Sequence, residues 1–353
     1  ACSLPSSSDV YQIASANDLA QVGGPCAASA DYAFTGTLDL SQTDLPLVTS
    51  TFTGSLRGTG DTAELVNLTH DVTSGDVALF KEANGATFSD FTIRNASFTS
   101  SATSKAERIA FLVASGTDVT FHNLNVTDSM MDFLTNTTQV GSLAGTLKAP
   151  LHVENVSLNG VTITSTETTF STGPDGGPAG GIIGQIVASA GGSQTVSIVD
   201  VTIDAASSVA TVELGGGIVG KLGGGLNVTI ERAGVEAGMV VSWGELGGLV
   251  GRSEAESLTV LDSSFTGDIR ATTAFYVGGV VGIIWQNIDA NDSGITVLRR
   301  TKVATTIDAS AAPPGNAQSI GGFMGTLSPK TVGSLAVIEE SFVTGSIVTS
   351  GNP

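Results

Sequence analysis

Apolar and polar residues alternate along short runs through most of this chain, as in "FTIRNASF" (91–98), "LNVTDSM" (124–130), "VSIVDVTI" (196–203) and "VLDSSFTG" (260–267). Alternation with period two predicts strands with one buried face. Val, Ile, Thr and Phe dominate these runs, which favours strand over helix. Between them a second pattern recurs: "AGGIIG" (179–184), "LGGGIVG" (214–220), "ELGGLVG" (245–251), "YVGGVVG" (276–282) and "SIGGFMG" (319–325).

Aligned on its last glycine, that pattern has decayed copies in "VALFK", "IAFLVA" and "VGSLAG". The anchors are Lys81, Ala114, Gly145, Gly184, Gly220, Gly251, Gly282 and Gly325, spaced 33, 31, 39, 36, 31, 31 and 43 residues apart. A unit near 31 residues that tolerates insertions predicts a solenoid. A second column follows the anchors: Ile93, Val126, Leu158, Ile203, Val235, Phe265, Val303 and Phe342. Three residues before each stands a polar group suited to a turn: Asp90, Asn123, Asn155, Asp200, Arg232, Asp262, Arg300 and Glu339. The fold expected is all-β, a parallel β-helix of roughly 9–10 coils over 51–353. An N-terminal cap is expected over 1–50, and Pro/Gly-rich insertions near 171–180 and 310–319 loop outward from one corner.

In such a stack like residues lie on like, about 4.8 Å apart. The glycines Gly145, Gly184, Gly220, Gly251, Gly282 and Gly325 then serve a corner, allowing positive φ and removing a side chain that would crowd the next coil. The two apolar positions inside the motif are adjacent, and neighbours in a strand face opposite ways. Either the corner bends both inward, which is the reading favoured, or one ladder forms an external stripe that packs on another chain.

Composition narrows the function. Charged residues are 13% and the net charge is −19, which argues against nucleic acid or an anionic membrane as partner. No run of 18 apolar residues occurs, so no membrane span is expected. The sequence begins at Ala1, which fits either a mature secreted product or an arbitrary boundary. Cys2 and Cys26 are expected to pair in an oxidising compartment. Seven N-x-S/T sequons, at Asn67, Asn95, Asn125, Asn136, Asn155, Asn227 and Asn291, are candidates for N-glycosylation.

The "GGLVG" units followed by alternating strands resemble the GLUG-type repeats of secreted surface proteins. "YQIASANDLAQV" (11–22) is similar to that family's lead-in segment, and "YAFTGTLDLS" (32–41) to the strand that follows it. "FTGSLRGTGDTAELVNLT" (52–69) resembles the segment that begins its solenoid. The resemblance implies a right-handed parallel β-helix used in surface display, adhesion or fibre formation. The chain departs from the pattern at Lys81 and Ala114, where the anchor glycine is replaced, and at Asp61, where the polar link after the glycine pair is short.

Candidate chemistry is sparse. His70, His122 and His152 fall in different coils with no local acid–base or metal pair, so exposed strand or turn positions are expected. Asp289, Asn291 and Asp292 in "NIDANDSG" form the one weak Ca²⁺ candidate; a solvated loop is the blander reading. "GTGDTAE" (58–64) lacks the Lys of a phosphate loop. No regular T-x-T column supports ice binding. "SFVTGSIVTSGNP" (341–353) carries a strand pattern to the last residue, open to a longer chain, a neighbour or strand donation. The expectation is a non-catalytic, extracellular structural protein with no cofactor, self-associating or partnered with surface proteins. The rivals are a monomeric adhesin binding glycan through its insertion loops and a polysaccharide-degrading enzyme.

Overall fold

The computed structural model describes residues 2–7, 9–41, 43–100, 105–134, 139–166, 177–286, 294–310, 319–329 and 335–349. The fold is almost entirely β, with a 30-stranded and an 8-stranded sheet whose ladders are parallel except where Ser6–Ser7 pairs with Val10–Ile13. One short helix, Ala16–Leu19, is present among the described residues, capped by the Ser15 hydroxyl on the Asp18 amide.

The register follows the anchor spacing. Phe80, Val113, Ala144, Ile183, Val219, Val250, Val281 and Met324 are successive partners across rungs. Leu249 N–H donates to Val280 O at 2.9 Å. The result is a solenoid-like stack in which every rung bonds to the next. A second column runs Tyr11, Tyr32, Leu56, Phe88, Phe121, Val153, Ile198, Ile230, Val260, Leu298 and Ile338. Its inner side chains form one continuous core. The early rungs fill it with aromatics, Tyr32, Phe52, Phe88 and Phe121 following one another at 5.7–6.2 Å between centroids. Later rungs fill it with Val, Ile and Leu.

The segment 1–50 holds the helix and the Cys2–Cys26 disulfide. It also extends the ladder, since Val10–Ile13 pairs with Asp31–Asp39 and that strand with Ser55–Val66.

The glycine motif is a sharp bend between a strand of the small sheet and the next strand of the large one. Leu249 and Val250 are both fully buried, as are Ile218 and Val219, and Val280 and Val281. The bend turns both inward, and the external apolar stripe is excluded for these rungs. The glycines act by absence of a side chain alone. A Cβ on Gly247 would lie 1.9 Å from Val250 O across the bend, on Gly248 2.2 Å from Gly279 O of the next rung, and on Gly251 2.5 Å from Gly220 O of the previous one. None of the six anchor glycines has positive φ, which corrects that half of the expectation. A strand folded this tightly stays in the β region and needs room rather than handedness.

The positive φ sits instead at the polar column: Asp90, Asn123, Asn155, Asp200, Arg232, Asp262, Arg300 and Glu340, at 47–65°. Asn and Asp visit this region readily; Arg and Glu do so at a cost. Cross-rung bonds offset that cost. Asn123 Nδ2 donates to Asp90 Oδ1 at 2.8 Å and Asn155 Nδ2 to Asn123 Oδ1 at 2.6 Å. Arg232 grips Asp200 and Arg300 grips Asp262, each through two nitrogens at 2.6–2.9 Å. In the last rung the corner falls on Glu340 and the column member is Val343, one residue beyond Glu339 and Phe342. Ser341 fixes this register: its hydroxyl bonds Thr301 N and Glu339 O, as Ser263 bonds Ala233 N and Leu261 O two corners earlier.

Candidate functional site

Outside the bend, the small-sheet strand and the following strand face each other across a crease that runs along the stack. Where both sides carry glycine, the crease is closed by backbone. In the early rungs the small residues are Ala78, Ala110 and Ala114, which form a buried cluster of their own. One rung before Ala114, at the equivalent position, stands Lys81 instead of glycine. Here the crease opens into a groove of about 250 Å³, lined by Asp76, Lys81, Glu82, Asn84, Arg108, Ser115, Gly116, Thr117, Thr146 and Lys148.

Register explains how residues so far apart converge. Glu82, Ser115 and Thr146 are stacked partners, as are Asn84, Thr117 and Lys148. Asp76 and Arg108 pair on the opposite wall. Phe80, Ala83, Val113, Gly116 and Leu147 are buried; just past the bend the strict alternation is broken, since Phe80 and Ala83 lie three residues apart, and Lys81 and Glu82 between them are not buried.

The groove's charges are unequally engaged. Arg108 binds Asp76 bidentately, Nε to Oδ1 at 2.7 Å and Nη2 to Oδ2 at 2.9 Å, and lies 3.5 Å from Glu107. Glu82 accepts from Thr51 Oγ1 and Asn84 Nδ2, both at 3.0 Å. Lys81 and Lys148 are exposed, and among the described residues neither has an ion-pair partner. Asn84 Oδ1 and Thr146 Oγ1 are buried without a hydrogen-bond partner among the described residues. A buried acceptor with no donor costs free energy until a ligand or water supplies one.

Farther along the crease lies a denser charge cluster. Glu245, 5% exposed, accepts from Arg252 Nε at 2.7 Å and Nη2 at 2.5 Å. Arg252 also approaches Glu254, which pairs with Lys221 at 3.2 Å. Burial pushes the Glu245 carboxyl above its ordinary pKa, against the pull of Arg252. Trp243 and Phe275 stack edge to face beside it, 4.9 Å between centroids. This arrangement has its members satisfied by one another and reads as a structural clasp.

The histidines differ from expectation. Thr120 stacks on His152 and His122 on Glu154, so the two imidazoles converge on one carboxylate: His152 Nε2 lies 3.3 Å and His122 Nε2 3.6 Å from Glu154 Oε2. Asp90 Oδ1 stands 4.0 Å behind His122 Nδ1. His70 remains apart, half-buried against Phe98, and burial lowers its pKa. Among the described residues no group of three His, Cys, Asp or Glu is set to hold a metal ion. Arg299 and Arg300 bind Glu339 and Asp262 on neighbouring rungs.

Asp289, Asn291 and Asp292, the Ca²⁺ candidates, lie outside the described residues, as does the sequon at Asn136. Of the other sequons, Asn95 and Asn155 are exposed, whereas Asn67, Asn125 and Asn227 are half-buried. Asn125 Oδ1 accepts from Ser157 and Asn159, and Asn227 Oδ1 from Ser257. Most of both insertions, 171–176 and 311–318, also lies outside the described residues.

No family model and no curated protein matches the chain. Among solved structures, the chain is similar to one described as a "putative immunoglobulin A1 protease from Bacteroides ovatus". The two share 14% identity with a TM-score of 0.42, over 95% of this chain and 85% of the other. At that distance the likeness bears on no activity, and the groove has to be read from its own residues.

Proposed function

We propose that this chain is an extracellular, non-catalytic surface protein built as a right-handed parallel β-helix, and that it holds a carbohydrate polymer in the crease groove between Asp76 and Lys148. The right hand follows the crossover preference of parallel strands. The observation that carries the reading is the pair of buried oxygens without a partner, Asn84 Oδ1 and the Thr146 hydroxyl, on two residues that line an open polar groove. Hydroxyl groups along a sugar chain supply the missing donors, and stacked rungs about 4.8 Å apart present polar groups in a linear array. The paired cysteines and exposed sequons support an oxidising, glycosylating route.

The test is a glycan array probed with the folded protein, followed by product analysis on every binder. Retention of intact polysaccharide without new chain ends supports the reading. Absence of any saccharide ligand overturns it, and release of product overturns its non-catalytic part. Deleting 171–176, which spares the buried strand Pro178–Gly180, leaves binding unchanged, because the groove lies in earlier rungs; loss would favour recognition by insertion loops. Intact-mass analysis before and after glycan removal, with sugar found at Asn95 and Asn155, checks the compartment.

Self-association is the second reading, and one observation favours it. The rung 335–349 exposes Leu335, Phe342 and Ile347 by about half, and Thr305, Ile307, Phe323 and Val343 line an apolar opening beside it. Sedimentation across a wide concentration range decides it; a monomer throughout removes it.

A further inference from the structure

The groove also carries information about which saccharide it takes, and this deepening rests on the groove being a carbohydrate site. The chain has 14 Lys and Arg against 33 Asp and Glu, so exposed cations without a partner are scarce. The groove holds two, Lys81 and Lys148. They stand two rungs apart, on Phe80–Asn84 and Ala144–Asn159, about 10 Å along the stack. Arg108 is matched by Asp76 and leans on Glu107. Glu82 is the one other carboxylate lining the groove, and hydrogen bonds from Thr51 and Asn84 occupy both its oxygens.

From this we infer that the groove binds an acidic saccharide chain, its anionic groups met by Lys81 and Lys148 and its hydroxyls donating to Asn84 Oδ1 and Thr146 Oγ1. The balance of charge limits the ligand. The lining sums to three cations and two carboxylates, a small positive island on a chain of net charge −19. A densely charged polyanion is repelled by the surroundings, whereas a chain with about one acidic group per sugar matches two lysines with polar threonines between them. Uronic-acid carboxylates and sulfate esters share this chemistry.

Calorimetric titration of the folded protein with oligogalacturonate, its methyl ester and a sulfated galactan oligosaccharide tests the assignment. The acid or the sulfate ester should bind, and the neutral ester should bind at least about tenfold more weakly, since an ammonium–anion hydrogen bond is worth more than a neutral one. The double variant Lys81→Gln, Lys148→Gln should lose the acidic ligand by about tenfold or more while unfolding at the same temperature, both side chains being exposed. A second variant, Thr146→Val, removes an acceptor without touching charge and should weaken acid and ester alike. Equal affinity for acid and ester, or undiminished binding by the lysine variant, overturns the assignment while leaving a carbohydrate site standing. Binding to none of the three overturns the acidic assignment, and the glycan array then decides whether a carbohydrate site stands.

Discussion

If the glycine motif exists because two backbones touch, adding one methyl at the right glycine should cost more than almost any other small change. Gly248 is the sharpest case. Its Cβ would lie 2.2 Å from Gly279 O, 2.4 Å from Phe265 Cγ and 2.6 Å from Phe265 Cδ2. Ordinary contact begins at 3.4 Å, so the methyl stands about 1.2 Å too close to a carbonyl on the steep repulsive wall. Overpacking typically costs about 1–3 kcal/mol when side chains can give way. Here Phe265 is fully buried, and the peptide that carries Gly279 O is bonded onward to the next rung, its Val280 N–H donating to Phe323 O at 2.9 Å. Neither neighbour can move alone, so Gly248→Ala is expected to cost about 3 kcal/mol or more.

Two controls separate contact from backbone freedom. A Cβ on Gly85 meets nothing within 4 Å, but φ is +65°, so Gly85→Ala should cost about 1 kcal/mol through strain alone. A Cβ on Gly238 also meets nothing and its φ is not positive, so Gly238→Ala should be neutral or stabilise by a few tenths of a kcal/mol. Urea unfolding followed by circular dichroism, compared at the transition midpoint, ranks the three. With about 2.1 cal/mol/K of unfolding entropy per residue over 353 residues, 3 kcal/mol lowers the melting temperature by about 4 °C. Gly248→Ala falling within about 0.5 kcal/mol of Gly238→Ala would refute the contact account of the motif.

Three further outcomes follow from the charges and the crosslink. Hydrogen bonds from Arg232 and Arg300 hold Asp200 and Asp262 below the ordinary aspartate value of 3.8, so their contribution is present above that pH and lost as the pH falls through the depressed values. Urea midpoints measured from pH 6 to pH 2 should drop less steeply in the Asp200→Asn, Asp262→Asn variant. Arg252→Met strands the buried Glu245 carboxylate and should cost about 3 kcal/mol at pH 7. Because burial raises the Glu245 pKa, that carboxyl is protonated more readily in the folded state, and the variant's deficit should shrink as the pH falls toward 4.5. Reducing Cys2–Cys26, separated by 24 residues, should release about 3 kcal/mol of loop-closure entropy. Hydrogen exchange should then quicken in Val10–Ile13 and Asp31–Asp39, with the rungs past Gly145 unchanged.

What could be read from the sequence was whatever the ladder repeats. Backbone bonds between rungs force like residues to stack, so the gaps between anchors equal the register and could be measured by counting, insertions included. Properties that belong to one residue at a time were harder. The polar column suggested a turn, but Arg232 and Arg300 gave no sign of left-handed backbone, because their strain is offset by carboxylates a rung away. Glu340 was missed by one position because the run at 335–343 offers two alternations, and the deciding hydroxyl, Ser341, speaks only through its bond to Thr301. The histidines were judged singly, although the 32 residues from His122 to Glu154 equal the local coil and put them side by side. The groove follows the same logic. Lys81 and Ala114 stood out as broken copies of the repeat, and a broken copy read alone looks like decay. In a stack held shut by the absence of side chains, a glycine replaced by a long side chain is where the crease opens: Lys81 lines the groove, whereas Ala114 is small enough to stay buried, so the size of the replacement, and not the break in the pattern alone, separates the two.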